Sequence, residues 1–260
     1  MLVTGAGSGI GRATSVLCAR RGARLVICDV DERGLEATAA EARALGRDVV
    51  AERVDVSRRD EMRAFADAVG APDLLVNNAG VGLGGKFVDT TLEDWDWVVG
   101  INLMGVVHGC HFFVPKMIER GGGHVVNLSS MAGYFASSLL SAYSTTKFGV
   151  LGLSEALRDE LADHGIGVTA VCPGIVATGI TRSSRLRGPD ATDERRERVV
   201  RMYERRNYGP DRVARQILRA VERNRAVAPV TAESWAAYAL KRATPRFAGW
   251  LGHKISASSP

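Results

Sequence analysis

Long hydrophobic runs, paired cysteines and lysine are all scarce in this chain of 260 residues. The longest apolar runs fall far short of the ~20 residues that a membrane-spanning helix needs. Met1 leads straight into "LVTGAG", without the basic start, apolar stretch and cleavage site of a secretory leader. Cys18, Cys28, Cys110 and Cys172 form no CxxC and no metal-ligand cluster. Reduced, mostly buried thiols in a cytoplasmic protein are the expectation. His108, His111, His124, His164 and His253 lack the spacing of shared metal ligands, and no metal is expected. Lysine supplies only five of the 34 basic residues, arginine the other 29, and the formal net charge is +5. The densest basic run, "TRSSRLRGPDATDERRERVVRMYERR", interleaves its arginines with Asp190, Asp193, Glu194, Glu197 and Glu204. A nucleic-acid tract would lack those acids, so a solvated helical face or lid is favoured over a phosphate-binding patch, and no nucleic-acid partner is expected.

What is present is 46% hydrophobic residue, enough to bury a sizeable core. Short runs rich in Val, Leu and Ile alternate with longer helical patterns. "LVTG" (2–5), "RLVICD" (24–29), "VVAERVDV" (49–56), "DLLVNN" (73–78), "GHVVNLSS" (123–130), "GVTAVCPG" (167–174) and "RAVAPVT" (225–231) read as strands. Residues 11–20, 32–45 and 143–163 read as helices. Such alternation predicts an α/β fold, a doubly wound parallel sheet with helices on both faces. One domain over 1–231 is expected, with residues 179–208 as a lid too charged for the core, followed by an extension at 232–260. The first strand is short, at three residues before its turn, which suggests native sequence upstream.

"TGAGSGIGRA" follows the first strand and opens a helix. Gly5, Gly9 and Gly11 have GxxxGxG spacing rather than GxGxxG, but the physics is shared. Glycine permits positive φ, lets backbone N–H groups approach a pyrophosphate, and lets the helix pack closely on the strand. Gly5, Ser8, Gly9, Ile10 and Gly11 are therefore candidate cofactor contacts. The second strand ends at Asp29, 18 residues after Gly11. An acid there accepts hydrogen bonds from the adenosine ribose and repels a 2′-phosphate. With no Arg or Lys inside the turn, NAD is favoured over NADP. Asp29 as a cap of the next helix is the competing reading, and Asp31 is equally placed for that job.

Six motifs then occur in order: "TGAGSGIG", "NNAG" (77–80), "INLMG" (101–105), "NLSS" (127–130), "YSTTK" (143–147) and "PGIVAT" (173–178). Together they resemble the short-chain dehydrogenase/reductase family over residues 2 to about 178, and more weakly to about 231. The resemblance implies a single Rossmann-type domain with a seven-stranded parallel sheet. It implies a catalytic tetrad of Asn102, Ser130, Tyr143 and Lys147, Ser130 being matched because it lies 13 positions before Tyr143. Ser129 stays open as a candidate for the same role. It implies further that Asp55 and Val56 meet adenine, that Asn78 and Gly80 border the adenosine, and that Pro173, Gly174, Val176 and Thr178 line the nicotinamide. A homodimer or homotetramer through the helices carrying "INLMG" and "YSTTK" is implied as well.

The chemistry of the pair in "YSTTK" follows from its spacing. Four residues apart on a helix puts Tyr143 and Lys147 on one face. A free phenol, with pKa of roughly 10, is a poor base at neutral pH. A nearby ammonium lowers that pKa. Tyr143 is then the base for alcohol oxidation and the acid for ketone reduction. Ser130 can hydrogen-bond the substrate oxygen. By resemblance Lys147 also holds the nicotinamide ribose, and Asn102 holds a water that links Lys147 to solvent. Asn102 as a purely structural amide is the competing reading.

Three stretches are implied around the substrate: "VGLGGKFVDTT" (81–91), "MAGYFASSLLSA" (131–142) and residues 179–208. The second offers Met131, Tyr134, Phe135, Leu139 and Leu140. Apolar lining suits a lipophilic secondary alcohol or ketone, and Tyr134 is expected to meet it together with Ser130 and Tyr143. The same residues could instead pack the core or a subunit contact. In the tail, Trp235, Tyr238, Phe247, Trp250 and Leu251 lie beside Lys241, Arg242, Arg246 and Lys254. An amphipathic helix broken at Pro245 is expected to pack on the protein itself or on a partner subunit in preference to a lipid surface. "RMYERRNYGP" and the tail resemble the dehydrogenase module of mycobacterial EphD-type proteins, in which an α/β-hydrolase domain precedes the dehydrogenase. The competing functions are a catalytically silent NAD-binding regulator or scaffold and a lipid-surface module.

Overall fold

A computed structural model describes residues 1–189 and 191–246. Seven runs of β-branched and aliphatic residues form one parallel sheet. They are β1 (Leu2–Thr4), β2 (Leu25–Asp29), β3 (Val49–Arg53), β4 (Leu74–Asn77), β6 (Gly123–Leu128), β7 (Ile166–Cys172) and β9 (Val227–Pro229). Two short strands, β5 (Leu83–Gly84) and β8 (Arg185–Leu186), pair with each other outside that sheet. The helices are α1 (Gly9–Arg20), α2 (Glu32–Ala44), α3 (Arg59–Val69), α4 (Leu92–Val99), α5 (Gly105–Arg120), α6 (Ser141–Glu160), α7 (Ile180–Ser183), α8 (Asp193–Arg205), α9 (Pro210–Glu222) and α10 (Ala232–Ala243). The strand order is β3-β2-β1-β4-β6-β7-β9. The doubly wound parallel sheet expected from the alternation is therefore what forms, with the seven strands that the family resemblance implies. Its order reverses between β1 and β4, the point at which such sheets bind ligands beyond the carboxyl ends of their strands.

Period-2 alternation sends neighbouring residues to opposite faces. Val3, Val76 and Val126 join the core made with α1, α2 and α9. Leu2, Leu75 and Val125 join the core made with α3, α5 and α6. All six are fully buried. Each such side chain stabilises the fold by roughly 1.5–3 kcal/mol. Phe65 and Phe113, also fully buried, meet edge to face with ring centres 6.1 Å apart. All four cysteines are buried and unpaired. Burial pushes the Cys18 thiol up to about 11 and those of Cys110 and Cys172 up to about 12, which keeps them protonated and inert at neutral pH.

Helices α4 and α5 are joined through a π-helical turn, Gly100–Met104. The combined helix Leu92–Arg120 is long and apolar enough by composition to cross a membrane, but half of its apolar stretch is buried inside the protein. It is the core helix of the α3–α6 layer. Asn102, His108 and His111 interrupt its hydrophobic runs, which is why the sequence suggested only short ones.

The charged segment after β7 is helical at α7 and α8, as its composition suggested. Several of its arginines are tied down. Asp94, 1% exposed in α4, accepts from Arg187 Nε at 2.6 Å and from its Nη2 at 2.7 Å. Arg185 reaches the same carboxylate at 3.5 Å and lies 3.7 Å over the Trp97 ring. Arg196 donates to the carbonyls of Arg182 and Ser184, at 2.8 Å each. The pairing of β5 with β8 thus joins this segment to the chain ahead of α4.

Helix α10 stops before Thr244 and Pro245. Tyr238 packs on Tyr134 with ring centres 5.3 Å apart, and Arg242 pairs with Glu155 at 3.1 Å. The described part of the tail therefore packs on its own chain, while Trp235 is 46% exposed. Phe247, Trp250, Leu251, His253 and Lys254 lie outside the described residues, as does Asp190.

Candidate active site

The glycine turn follows β1, at the point where the strand order reverses. Gly5 and Gly9 have φ of +65° and +53°, which L side chains rarely adopt. A Cβ on Gly5 would fall 2.6 Å from the Ala79 Cα, and one on Gly11 would fall 2.8 Å from the Gly5 carbonyl carbon. The turn is stitched to β4 by Asn78, whose Nδ2 donates to the carbonyls of Thr4 and Gly5, each at 2.9 Å. Helix α1 begins at Gly9 with no acid in its first turn. Exposed Ser8 caps it without a side-chain hydrogen bond, and Ile10 packs inward on the core. The N–H groups of this helix end are left for an anion. A turn with glycine at positions 5, 9 and 11, leading into a helix whose first turn carries no acid, fits a dinucleotide pyrophosphate.

Asp29 stands at the end of β2, beside the turn. Its Oδ2 accepts from the Gly7 N–H at 2.8 Å and its Oδ1 from the Asp31 N–H at 3.0 Å. Asp31 is the residue at the start of α2, so capping does not consume Asp29. The carboxylate is held against the glycine turn with acceptor capacity to spare. Asp55 turns its carboxylate onto Ser57, accepting from N at 2.9 Å and Oγ at 2.7 Å. The Val56 carbonyl is 2.9 Å from His108 Nδ1, so the chain after β3 is braced by α5.

Beyond β6 the polar groups converge. Ser129 is buried and donates to the Lys147 carbonyl at 2.8 Å. Ser130 instead lies beside the Tyr143 hydroxyl and pulls its pKa down. The two serines are thereby separated, Ser129 bracing α6 and Ser130 facing the phenol. Lys147 is buried; its Nζ donates to the Leu128 carbonyl at 2.9 Å and sits 5.7 Å from the centre of the Tyr143 ring. Burial dominates both titrations. It pushes the Tyr143 phenol up to about 12, and the Lys147 ammonium down to about 8. The lowered phenol pKa expected from the lysine is not produced by these side chains alone. The cause is desolvation, with the ammonium aimed at a backbone carbonyl instead of at the phenolic oxygen.

Asn102 lies in the π-helical turn, fully buried. Its Oδ1 accepts from the Val81 N–H at 2.8 Å and its Nδ2 donates to the Val81 carbonyl at 2.9 Å. Its side chain thus holds the backbone at Val81, just ahead of β5. Gly80 is pressed beside it: a Cβ there would fall 3.3 Å from Asn102 Oδ1 and 3.6 Å from Lys147 Nζ.

The loop Pro173–Thr178 crosses from β7 toward the glycine turn. The Pro173 carbonyl accepts from the Met131 N–H at 2.8 Å. Thr178 lies against Gly9, 3.6 Å from where a Cβ would be. Ala177 N donates to the Tyr208 carbonyl at 3.0 Å, and Val176 is buried. Tyr134 departs from its expected place at the substrate. It is 4% exposed, and its hydroxyl is bonded to the Ser234 carbonyl at 2.9 Å and to the Ser234 hydroxyl. Tyr134 is thereby spent on holding α10. Among the described residues no three His, Cys, Asp or Glu side chains cluster as metal ligands. Asp94, Arg187, Glu233 and Ser234 were missed by the sequence reading. Only "TLED", a capping-box pattern that the structure realises at Thr91 and Asp94, carried a local signal.

A doubly wound sheet with a glycine turn at its reversal point is the architecture of dinucleotide-binding enzymes. Residues 1–187 match the short chain dehydrogenase family model, and the chain belongs to that family of oxidoreductases. A protein of Mycobacterium tuberculosis named "Probable oxidoreductase EphD" is 44% identical over 253 residues, which are 94% of this chain and 43% of that protein. The chain thus spans less than half the length of that relative. A short-chain dehydrogenase/reductase from Burkholderia phymatum, solved in complex with NAD, is 33% identical with a TM-score of 0.87, covering 95% of this chain and 93% of that one. A short-chain dehydrogenase from Sphingobium yanoikuyae, solved with NADPH, is 28% identical with a TM-score of 0.74, covering 93% and 92%.

Proposed function

We propose that this chain interconverts a secondary alcohol and a ketone on a lipophilic substrate, using NAD, with Tyr143 as the general acid and base. The observation that carries this reading is the meeting of Ser130, Tyr143 and Lys147 at the carboxyl end of the sheet, beside the glycine turn. When bound, the nicotinamide supplies the hydride donor or acceptor and, in its oxidised form, a positive charge. Gly5, Ser8, Gly9, Ile10 and Gly11 hold the pyrophosphate, and Asp29 accepts from the adenosine ribose. Asp55, Val56, Asn78 and Gly80 enclose the adenosine side. The loop through Pro173, Gly174, Val176 and Thr178 flanks the amide. Ser130 donates to the substrate oxygen. Tyr143 gives that oxygen a proton in reduction and takes one in oxidation. Lys147 keeps positive charge near the phenol and reaches toward the ribose. Met131, Phe135, Leu139 and Leu140, all half-buried, give an apolar lining.

The preference for NAD is tested at Asp29. In the wild type, kcat/KM with NAD exceeds that with NADP. Asp29→Ser removes the charge that repels a 2′-phosphate, and the NADP to NAD ratio of kcat/KM rises by about 100-fold, equivalent to ~2.7 kcal/mol. Steady-state rates of nicotinamide reduction with a panel of lipophilic secondary alcohols read this out. Equal use of the two cofactors by the wild type, unchanged in the variant, contradicts the assignment of Asp29.

A further inference from the structure

We propose that Glu233 is a positioning residue for the cofactor: carried in on the C-terminal helix, its carboxylate holds the Ile175 N–H and so sets the path of the Pro173–Thr178 loop across the glycine turn. This rests on the NAD-linked reading above and adds a part of the chain that reading does not use. Glu233 Oε1 accepts from the Ile175 N–H at 3.0 Å, across 58 residues of sequence. The loop has few other anchors. Its first carbonyl is held by Met131, beside Ser130, and its far end by the carbonyl of Tyr208. Ile175 lies between those points, and Glu233 is the side chain that fixes it there.

The first turn of α10 is built to deliver that carboxylate. Thr231 caps the helix, its side chain accepting from the Ser234 N–H. Ser234 is fully buried and donates to the Cys172 carbonyl, the last residue of β7, at 2.6 Å. Its carbonyl and hydroxyl also bond the hydroxyl of Tyr134, four residues after Ser130. Helix α10 is therefore locked to the end of β7 and to the segment after Ser130 before Glu233 reaches out. Gly174 records how close the approach is: a Cβ there would fall 2.8 Å from Glu233 Oε1. At the far end of the loop, Thr178 lies 3.6 Å from where a Cβ on Gly9 would be. A shift at Ile175 thus moves the wall of the site that faces the pyrophosphate turn. Only an acceptor is required at this position, because the partner is a neutral N–H.

The experiment compares Glu233→Ala, Glu233→Gln and Glu233→Asp with the wild type in the full chain. Glu233→Ala raises the KM and the calorimetric Kd for NAD roughly tenfold, equivalent to about 1.4 kcal/mol, with kcat within about threefold. The pH profile set by Tyr143 does not move. Glu233→Gln keeps an acceptor in place and restores NAD binding to within about twofold of the wild type. Hydrogen exchange of residues 173–178, measured without cofactor, is faster in Glu233→Ala and normal in Glu233→Gln. Glu233→Asp draws the acceptor back by one carbon–carbon bond and gives an intermediate Kd, which is readable if the alanine variant does not fold. Unchanged Kd and unchanged loop exchange in Glu233→Ala overturn the proposal, as does a loss in Glu233→Gln equal to that in Glu233→Ala. A wild type without NAD-linked turnover sinks the functional reading alone, since the loop exchange is read without cofactor.

Discussion

Tyr143→Phe is expected to lower kcat by about 10³-fold in both directions while leaving the Kd for NAD within about threefold of the wild type. The substitution keeps the ring that packs beside Lys147 and removes only the oxygen next to Ser130. In the proposed site the glycine turn and the loop after β7 hold the cofactor, so affinity should survive. The raised phenol adds a directional expectation. At neutral pH both Tyr143, pushed up to about 12, and Lys147, drawn down to about 8, are mostly protonated. The site is therefore charged with a proton to donate, and ketone reduction runs without a prior deprotonation. Alcohol oxidation needs the phenolate, so its rate should climb as pH rises, with positive charge from the oxidised nicotinamide drawing the apparent pKa below that of the chain alone. Steady-state rates from pH 6 to 10 in both directions check this. A flat oxidation profile, or a Tyr143→Phe variant that turns over at the wild-type rate, would remove Tyr143 from its role.

Gly11→Ala carries the second large effect, and it acts on binding. One added methyl would fall 2.8 Å from the Gly5 carbonyl carbon and 2.5 Å from Asn78 Nδ2. Both neighbours are rigid, because Asn78 is itself pinned to the carbonyls of Thr4 and Gly5. The turn must open to admit the methyl. That breaks the stitch between β1 and β4 and moves the N–H groups at the start of α1. NAD affinity should fall by at least ~100-fold, equivalent to about 2.7 kcal/mol, and overpacking should cost stability by roughly 1–3 kcal/mol. Gly22 is the control. It also has positive φ, but nothing lies within 4 Å of a Cβ built there. Gly22→Ala is then expected to cost stability through backbone strain and leave NAD binding alone. Calorimetry with NAD and thermal melts of both variants separate the two outcomes.

How much of this was legible without coordinates depends on the range of the interactions. Each of the seven sheet strands was visible because Val, Leu and Ile cluster in short runs that end at Gly, Asp, Asn or Pro. The helix carrying Tyr143 and Lys147 was visible for the same local reason. What escaped was long-range. Strands β5 and β8 are two residues each, too short for a pattern, and their pairing is accompanied by the contacts of Asp94 with Arg185 and Arg187, some ninety residues away. The contact from Glu233 to Ile175 spans 58 residues and involves a backbone donor that no side chain advertises. Tyr134 looked like a pocket residue by type and position. It was taken by Ser234, a hundred residues later. For the chain alone, Tyr143 shows what spacing leaves out. Proximity of a lysine suggested a lowered pKa, but the same packing that brings the two together also strips water from both, and desolvation wins. Spacing identifies which groups meet; only burial reveals the sign of what they do to each other.

The most direct test follows one hydrogen. A lipophilic secondary alcohol deuterated at its carbinol carbon is incubated with NAD and the protein, and the nicotinamide is analysed by mass spectrometry. The expected result is deuterium on the reduced nicotinamide with wild-type protein, a rate that rises with pH, and about 10³-fold less product with Tyr143→Phe. Reduced nicotinamide formed at the same rate by Tyr143→Phe, or none formed by the wild type from any alcohol in a broad panel while NAD still binds, would contradict it.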